Sequence, residues 1–151
     1  QDEQVLRSST GEGKIAFIHP GDIAEVAVRA LTTREHDGEA LVITGPRALS
    51  YAEMATAIGT AIGESLRFIP ITDAEARVGR DAYAKALVDI WRAIREGRVA
   101  TVTDGVQRIL GREPTSFDRW VAENTGAFMR RGARGRAAPS APPRPSRSRA
   151  K

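Results

Sequence analysis

Ala40-Leu-Val-Ile-Thr44, stopped by Gly45-Pro46 and followed by Leu49-Ser-Tyr-Ala-Glu53, is the stretch that decides the fold class. An apolar run with no polar alternation predicts a strand covered on both faces, as in parallel α/β sheets. Ser50 and Glu53 then stand three apart, ahead of Met54, Ile58 and Ile62. That spacing is a capping box opening an amphipathic helix, and Gly63 is its stop.

The same alternation continues on both sides. Upstream, Lys14-Ile-Ala-Phe-Ile18 is a short apolar run bounded by His19-Pro20-Gly21, which predicts a buried strand. Asp22, with Glu25 three residues on, reads as the N-cap of a helix over about 22–32. Ile23, Val26, Ala27, Ala30 and Leu31 recur along it at helical spacing. Residues 1–13 are polar, end in Gly11-Glu-Gly13 and read as a loop. Downstream, Leu66 to Ile71 predicts a third strand, and Thr72 with Glu75 a second capping box. Residues 82–97 carry the stripe Tyr83, Leu87, Ile90, Trp91 and Ile94, closed by Gly97. Thr103 or Asp104 caps a short helix with Val106, Ile109 and Leu110, stopped by Gly111. Pro114-Thr-Ser116 opens a last helix with Phe117, Trp120, Val121 and Phe128. The order βαβαβ followed by helices is that of an α/β protein.

Composition narrows the function. The 151 residues are 41% hydrophobic and 28% charged, as in ordinary globular domains. No apolar run is long enough to span a bilayer, so no membrane partner and a cytoplasmic location are expected. The chain has no cysteine, which excludes a disulfide scaffold, a thiolate metal site and a cysteine nucleophile. His19 and His36 are the only histidines, too few for a histidine-rich metal site, and no metal is expected. Gln1 in place of a methionine suggests a fragment, a processed product or an incomplete reading frame.

The net charge of +4 hides a split: residues 130–151 carry +8 and no acid, and the rest carries −4. The tail has Pro139, Pro142, Pro143 and Pro145 and no large apolar residue, so disorder is expected. It lacks aromatics for base stacking. Nucleic-acid binding is therefore expected to be weak and confined to this tail, and a solvated tail with no dedicated role is the preferred reading. With 20 Arg against 3 Lys and abundant Ala, the bias looks like high-GC coding. The expected organisation is a truncated start over 1–13, a half-domain over 14–129 and the tail over 130–151.

Several motifs tempt. Gly11-Glu-Gly13-Lys-Ile-Ala16 matches G-x-G-x-x-G/A letter for letter. That chemistry needs the glycines after a strand and at the start of a helix, whereas here they precede a predicted strand. Gly13-Lys14 is followed by Ile15, so it is no phosphate loop. Tyr51 is followed four residues later by Ala55, and Tyr83 by Leu87, so no Y-x-x-x-K acid–base pair exists. No catalytic residue is assigned. His19 ends a predicted buried strand, and ligands of open α/β sheets bind at the carboxyl ends of strands. By that rule His19 and Asp22 would share a substrate- or cofactor-facing rim with Thr44, Gly45 and Pro46. The plainer reading is a turn histidine with Asp22 merely capping, and capping alone explains Asp22. Trp91 and Trp120 lie in apolar helical stripes, where packing against the sheet explains them better than ligand stacking.

Lys14 to Phe128 resembles the C-terminal half of the NmrA-like family of atypical short-chain dehydrogenase/reductase proteins. The resemblance lies in Phe17-Ile-His-Pro-Gly-Asp-Ile-Ala-Glu-Val-Ala27 and in Leu41-Val-Ile-Thr-Gly-Pro46 with Leu49-Ser-Tyr-Ala-Glu53. Gly111-Arg-Glu-Pro114, Ser116-Phe117 and Trp120-Val121 add to it. Many of these proteins have an acidic residue where His19 stands, and the basic tail has no counterpart in their pattern. The resemblance implies the second part of a Rossmann-like NAD(P)-binding domain. The family's glycine-rich NAD(P) loop lies in the first half and maps onto no residue here. Members are NAD(P)H-dependent reductases of small organic substrates or redox-sensing regulators. The implied function is a piece of such a protein, inactive alone and not binding the dinucleotide tightly. The alternative is a non-enzymatic module that pairs with a separate Rossmann half or with itself.

Overall fold

The computed structural model describes residues 4–77 and 82–129. The tail expected to be disordered lies outside the described residues, as do Gln1 to Glu3 at the start. The order is β1 (Gln4–Ser8), β2 (Lys14–Ile15), α1 (Pro20–Thr32), β3 (Leu49–Ser50) and α2 (Tyr51–Ile62). It continues with β4 (Leu66–Pro70), α3 (Asp73–Ala76), α4 (Ala82–Arg95), α5 (Gly105–Leu110) and α6 (Phe117–Met129). β1 pairs in parallel with β4, Gln4 opposite Leu66 and Ser8 opposite Pro70. β2 and β3 form a short antiparallel pair. The fold is α/β, with α2 packed on the parallel pair and α6 on α2.

The elements set by local bonding form as expected. Ser50 and Glu53 close a reciprocal capping box on α2, and Thr72 and Glu75 do the same on α3. Gly63 and Gly111 end α2 and α5 in the left-handed conformation, where a side chain would be strained. Leu49, Met54, Ala55, Ile62, Val88, Trp91, Ile94, Val106, Ile109 and Val121 form the buried core.

Five expectations differ. The buried strand expected over Lys14–Ile18 is only Lys14–Ile15, and residues 16–19 belong to no strand, the Ala16 amide donating to the Val99 carbonyl instead, so His19 does not end a strand. Gln4–Ser8 is a strand, not loop, because the parallel ladder with β4 satisfies a backbone whose own sequence is half polar. Ala40–Thr44 joins no ladder; the Thr103 hydroxyl donates to the Val42 carbonyl and the Thr103 amide to Thr44 Oγ1 instead. On α4 the buried face is Ala84, Val88, Trp91 and Ile94, while Tyr83 and Ile90 are 75% and 55% exposed. Trp91 and Ile94 of the expected stripe are buried, and the rest of the buried face comes from Ala84 and Val88; Gly13 packs so close on the end of this helix that a Cβ there would meet the Ile94 carbonyl. In α1, Asp22 is the only fully buried residue, and Ile23, Val28 and Leu31 face solvent.

Candidate functional site

The start of α1 shows why the expected N-cap moves. His19, not Asp22, occupies the cap, and its Nδ1 accepts the Gly21 amide at 2.9 Å. Pro20 then sits in the first turn, where its missing N–H costs nothing. The imidazole folds so closely over Gly21 that a Cβ there would come within 2.9 Å of Nδ1.

Asp22 is thereby freed for a long-range task. Its carboxylate is 1% exposed and accepts the Thr115 amide at 2.7 Å and the Thr115 hydroxyl at 3.0 Å. Arg112 adds an ion pair at 2.9 Å. Burial alone would raise this carboxyl, but the Thr115 amide, Arg112 and the Thr115 hydroxyl together hold it below the usual carboxylate range. Asp22 so pins the 111–116 loop to α1, and with it the start of α6.

That pinning shapes an apolar cleft of about 400 Å³. Phe17, Ile18 and Pro20 form one wall, Tyr51, Met54 and Ile58 of α2 another, and Phe117, Trp120 and Phe128 of α6 a third. The α6 aromatics stack on one another, Phe117 against Trp120 at 5.6 Å and Trp120 edge-on to Phe128 at 5.9 Å. Trp91 packs in the core, whereas Trp120 lines the cleft, a role its helical stripe did not reveal.

His19 stands between this cleft and a polar basin formed by Asp22, Glu25, Arg112, Arg119 and Glu123. With Nδ1 accepting from Gly21, the ring proton sits on Nε2, 3.4 Å from Glu123 Oε2. Arg119 binds the other Glu123 oxygen at 2.9 Å. That hydrogen bond first, and the charge of Arg119 after it, keep Glu123 below the usual carboxylate range.

The predicted rim therefore divides. His19 and Asp22 share the basin beside the cleft. Thr44 is buried and bonded to Thr103, and lines neither concavity. Gly45 lies flush against the Phe17 carbonyl, where a Cβ would overlap the oxygen, so the Thr44–Pro46 turn backs the Phe17 wall. Ser116 joins His19 at the cleft edge. Neither Ser116 nor the α6 aromatics were singled out as site residues, because nothing in their spacing announces a cavity made from four separate segments.

The Gly11–Ala16 run does not form a dinucleotide-binding turn. Gly11 and Gly13 do follow a strand, β1, but the turn they form leads into β2 and not into a helix. Gly11 serves the turn with φ of 55°, and Gly13 serves close packing on α4. Among the described residues no cluster of metal-ligating side chains occurs, and no helix is long and apolar enough to cross a membrane.

No family model matches the chain. It is 38% identical over 128 residues to the oxidoreductase YesF of Bacillus subtilis, covering 81% of this chain and 45% of that protein. It is 35% identical over 124 residues to an NAD(P)H azoreductase of Xenophilus azovorans, covering 78% and 43%. Among solved structures, an NADPH-dependent quinone oxidoreductase from Escherichia coli superposes with a TM-score of 0.72 at 20% identity, over 83% of this chain and 45% of that one. The chain thus spans less than half the length of the curated relatives it matches. With the Rossmann-like fold shared over that span, the chain belongs to the NmrA-like family of NAD(P)-dependent reductases and corresponds to the C-terminal half of its domain.

Proposed function

We propose that this chain is the substrate-side half of an NAD(P)H-dependent oxidoreductase whose cleft takes a small, flat, largely apolar organic molecule. The observation that carries this reading is the aromatic cleft: three walls of apolar side chains and one polar edge at His19, Thr115 and Ser116. Such a site binds by apolar burial and orients by a few polar groups. The azo and quinone chemistry in the names of similar proteins supports a flat substrate. In the complete protein NAD(P)H would supply hydride, and the residues holding it belong to the half not represented here. The chain alone is therefore inactive and does not bind the dinucleotide tightly. Calorimetric titration with NADPH and NADH should give no heat, while 2-naphthyl compounds should quench the emission of Trp120. Tight dinucleotide binding, or a cleft that takes no aromatic compound, would refute this division.

A second reading, a non-enzymatic module that pairs with a separate Rossmann half or with itself, is favoured by α1. Ile23, Val28 and Leu31 leave that helix with an apolar exposed face. Sedimentation equilibrium tests it: a monomer at all concentrations speaks against self-association, and concentration-dependent mass lost on Leu31→Glu speaks for it.

A further inference from the structure

We infer that His19 is the specificity-determining residue of the cleft: its Nε2–H selects ligands that carry an oxygen acceptor, such as a ketone or quinone carbonyl, on a flat apolar body. This deepens the cleft reading and rests on it.

Three observations lead here. First, the Gly21 amide fixes the tautomer, because an Nδ1 that accepts cannot also carry the proton. Nε2 is thus a donor, and the cap that closes α1 also locks the ring in place. Second, that donor lies at the boundary of an otherwise apolar cleft, where an unmatched acceptor on a ligand would lose its water without compensation. Third, the donor is incompletely used. Its distance to Glu123 is 3.4 Å, whereas Arg119 holds the same carboxylate at 2.9 Å. Glu123 therefore orients the imidazole without saturating it, and a ligand oxygen at the cleft edge can take the proton's hydrogen bond. The Thr115 hydroxyl cannot compete, since it donates to Asp22. Ser116 accepts the Arg119 amide and stands beside His19 as a lesser donor.

The two nitrogens of His19 can be separated by substitution. Asn at this position retains the cap acceptor and lacks the reach of Nε2, so His19→Asn keeps the helix start and loses the donor. Gln places an amide N–H near the Nε2 position, so His19→Gln keeps the donor and loses the cap. The full chain is titrated with 2-acetylnaphthalene and with 2-ethylnaphthalene, which match in size and differ in the oxygen, and Trp120 fluorescence reads binding. The ketone-over-hydrocarbon affinity ratio should fall about fivefold in His19→Asn, the effect of one net hydrogen bond. It should stay within about threefold of the starting ratio in His19→Gln. An unchanged ratio in His19→Asn, including a parallel loss for both compounds, overturns the assignment to His19. If that happens while the hydrocarbon still binds, the cleft reading survives. If neither compound binds the unaltered chain, the cleft reading itself fails and takes this inference with it.

Discussion

Replacing Asp22 with Asn tests the claim that one buried carboxylate builds the cleft. In the native chain Asp22 receives two hydrogen bonds from Thr115 and an ion pair from Arg112. Hydrogen bonds to a charged group contribute about 1.5–3 kcal/mol each, against about 1 for a neutral pair. Asn can keep the Thr115 amide with its one carbonyl, at a loss of about 1 kcal/mol. Its NH2 then faces Arg112, a donor against a donor, and forces the Thr115 hydroxyl to reverse. Arg112 is partly exposed and retains Glu25 at 2.7 Å, so that pair adds less than about 1 kcal/mol. The expected cost is about 2–3 kcal/mol, a large share of the roughly 5–15 kcal/mol that holds a domain together. Asp22→Ala also leaves the Thr115 amide unpaired and should cost about 4 kcal/mol. Urea unfolding followed by tryptophan fluorescence measures both. The pH dependence gives a second check. Asp22 is held below the carboxylate range when folded, so its contribution is present above the unfolded pKa of about 3.9. It is lost as pH falls through the folded value, so the gap between native and Asn chains should shrink below about pH 4. An Asn variant within about 0.5 kcal/mol of the native chain at pH 7 would refute the reasoning. So would a gap that stays constant into acid.

Gly45→Ala places a Cβ on the Phe17 carbonyl oxygen, a backbone contact that cannot yield, and should cost about 3 kcal/mol or more in the same urea assay. Gly21→Ala presses on Nδ1 of His19, so the imidazole tilts; the ring's carbon-bound proton shifts should move in NMR while the circular-dichroism spectrum stays. Asp73 sits between Arg95 and Arg92 with its pKa lowered to about 2, chiefly by the Arg95 hydrogen bond. Its pairing is therefore retained at pH 4 and released as pH falls through about 2, which titration of its carboxyl carbon signal checks. Leu31→Glu, on a position 86% exposed, should change folding stability by less than about 0.5 kcal/mol.

The parts legible in the sequence are those closed by short-range bonds. Ser50 with Glu53, and Thr72 with Glu75, satisfy each other three residues apart, and Gly63 and Gly111 end helices by their own freedom at positive φ. These depend on no distant partner, so spacing alone determines them. The strand–helix alternation is legible only in part: α1, α2 and β4 form where contiguous runs place them, but Ala40–Thr44 joins no ladder and the Lys14–Ile18 run yields a two-residue strand, while the family resemblance is legible because contiguous runs carry it. Asp22 marks the boundary. Its type and place suit a cap, and nothing nearby in the chain shows that Thr115 will claim it from 93 residues away. Once it does, the cap falls to His19. Strand β1 was invisible because its ladder partner, β4, lies about sixty residues on. The buried face of α4 was legible at Trp91 and Ile94 but not at Ala84 and Val88, which take the core in place of Tyr83 and Ile90. The cleft belongs wholly to tertiary structure: Leu6, Phe17, Tyr51 and Trp120 are ordinary apolar residues in four places until packing turns them toward one space.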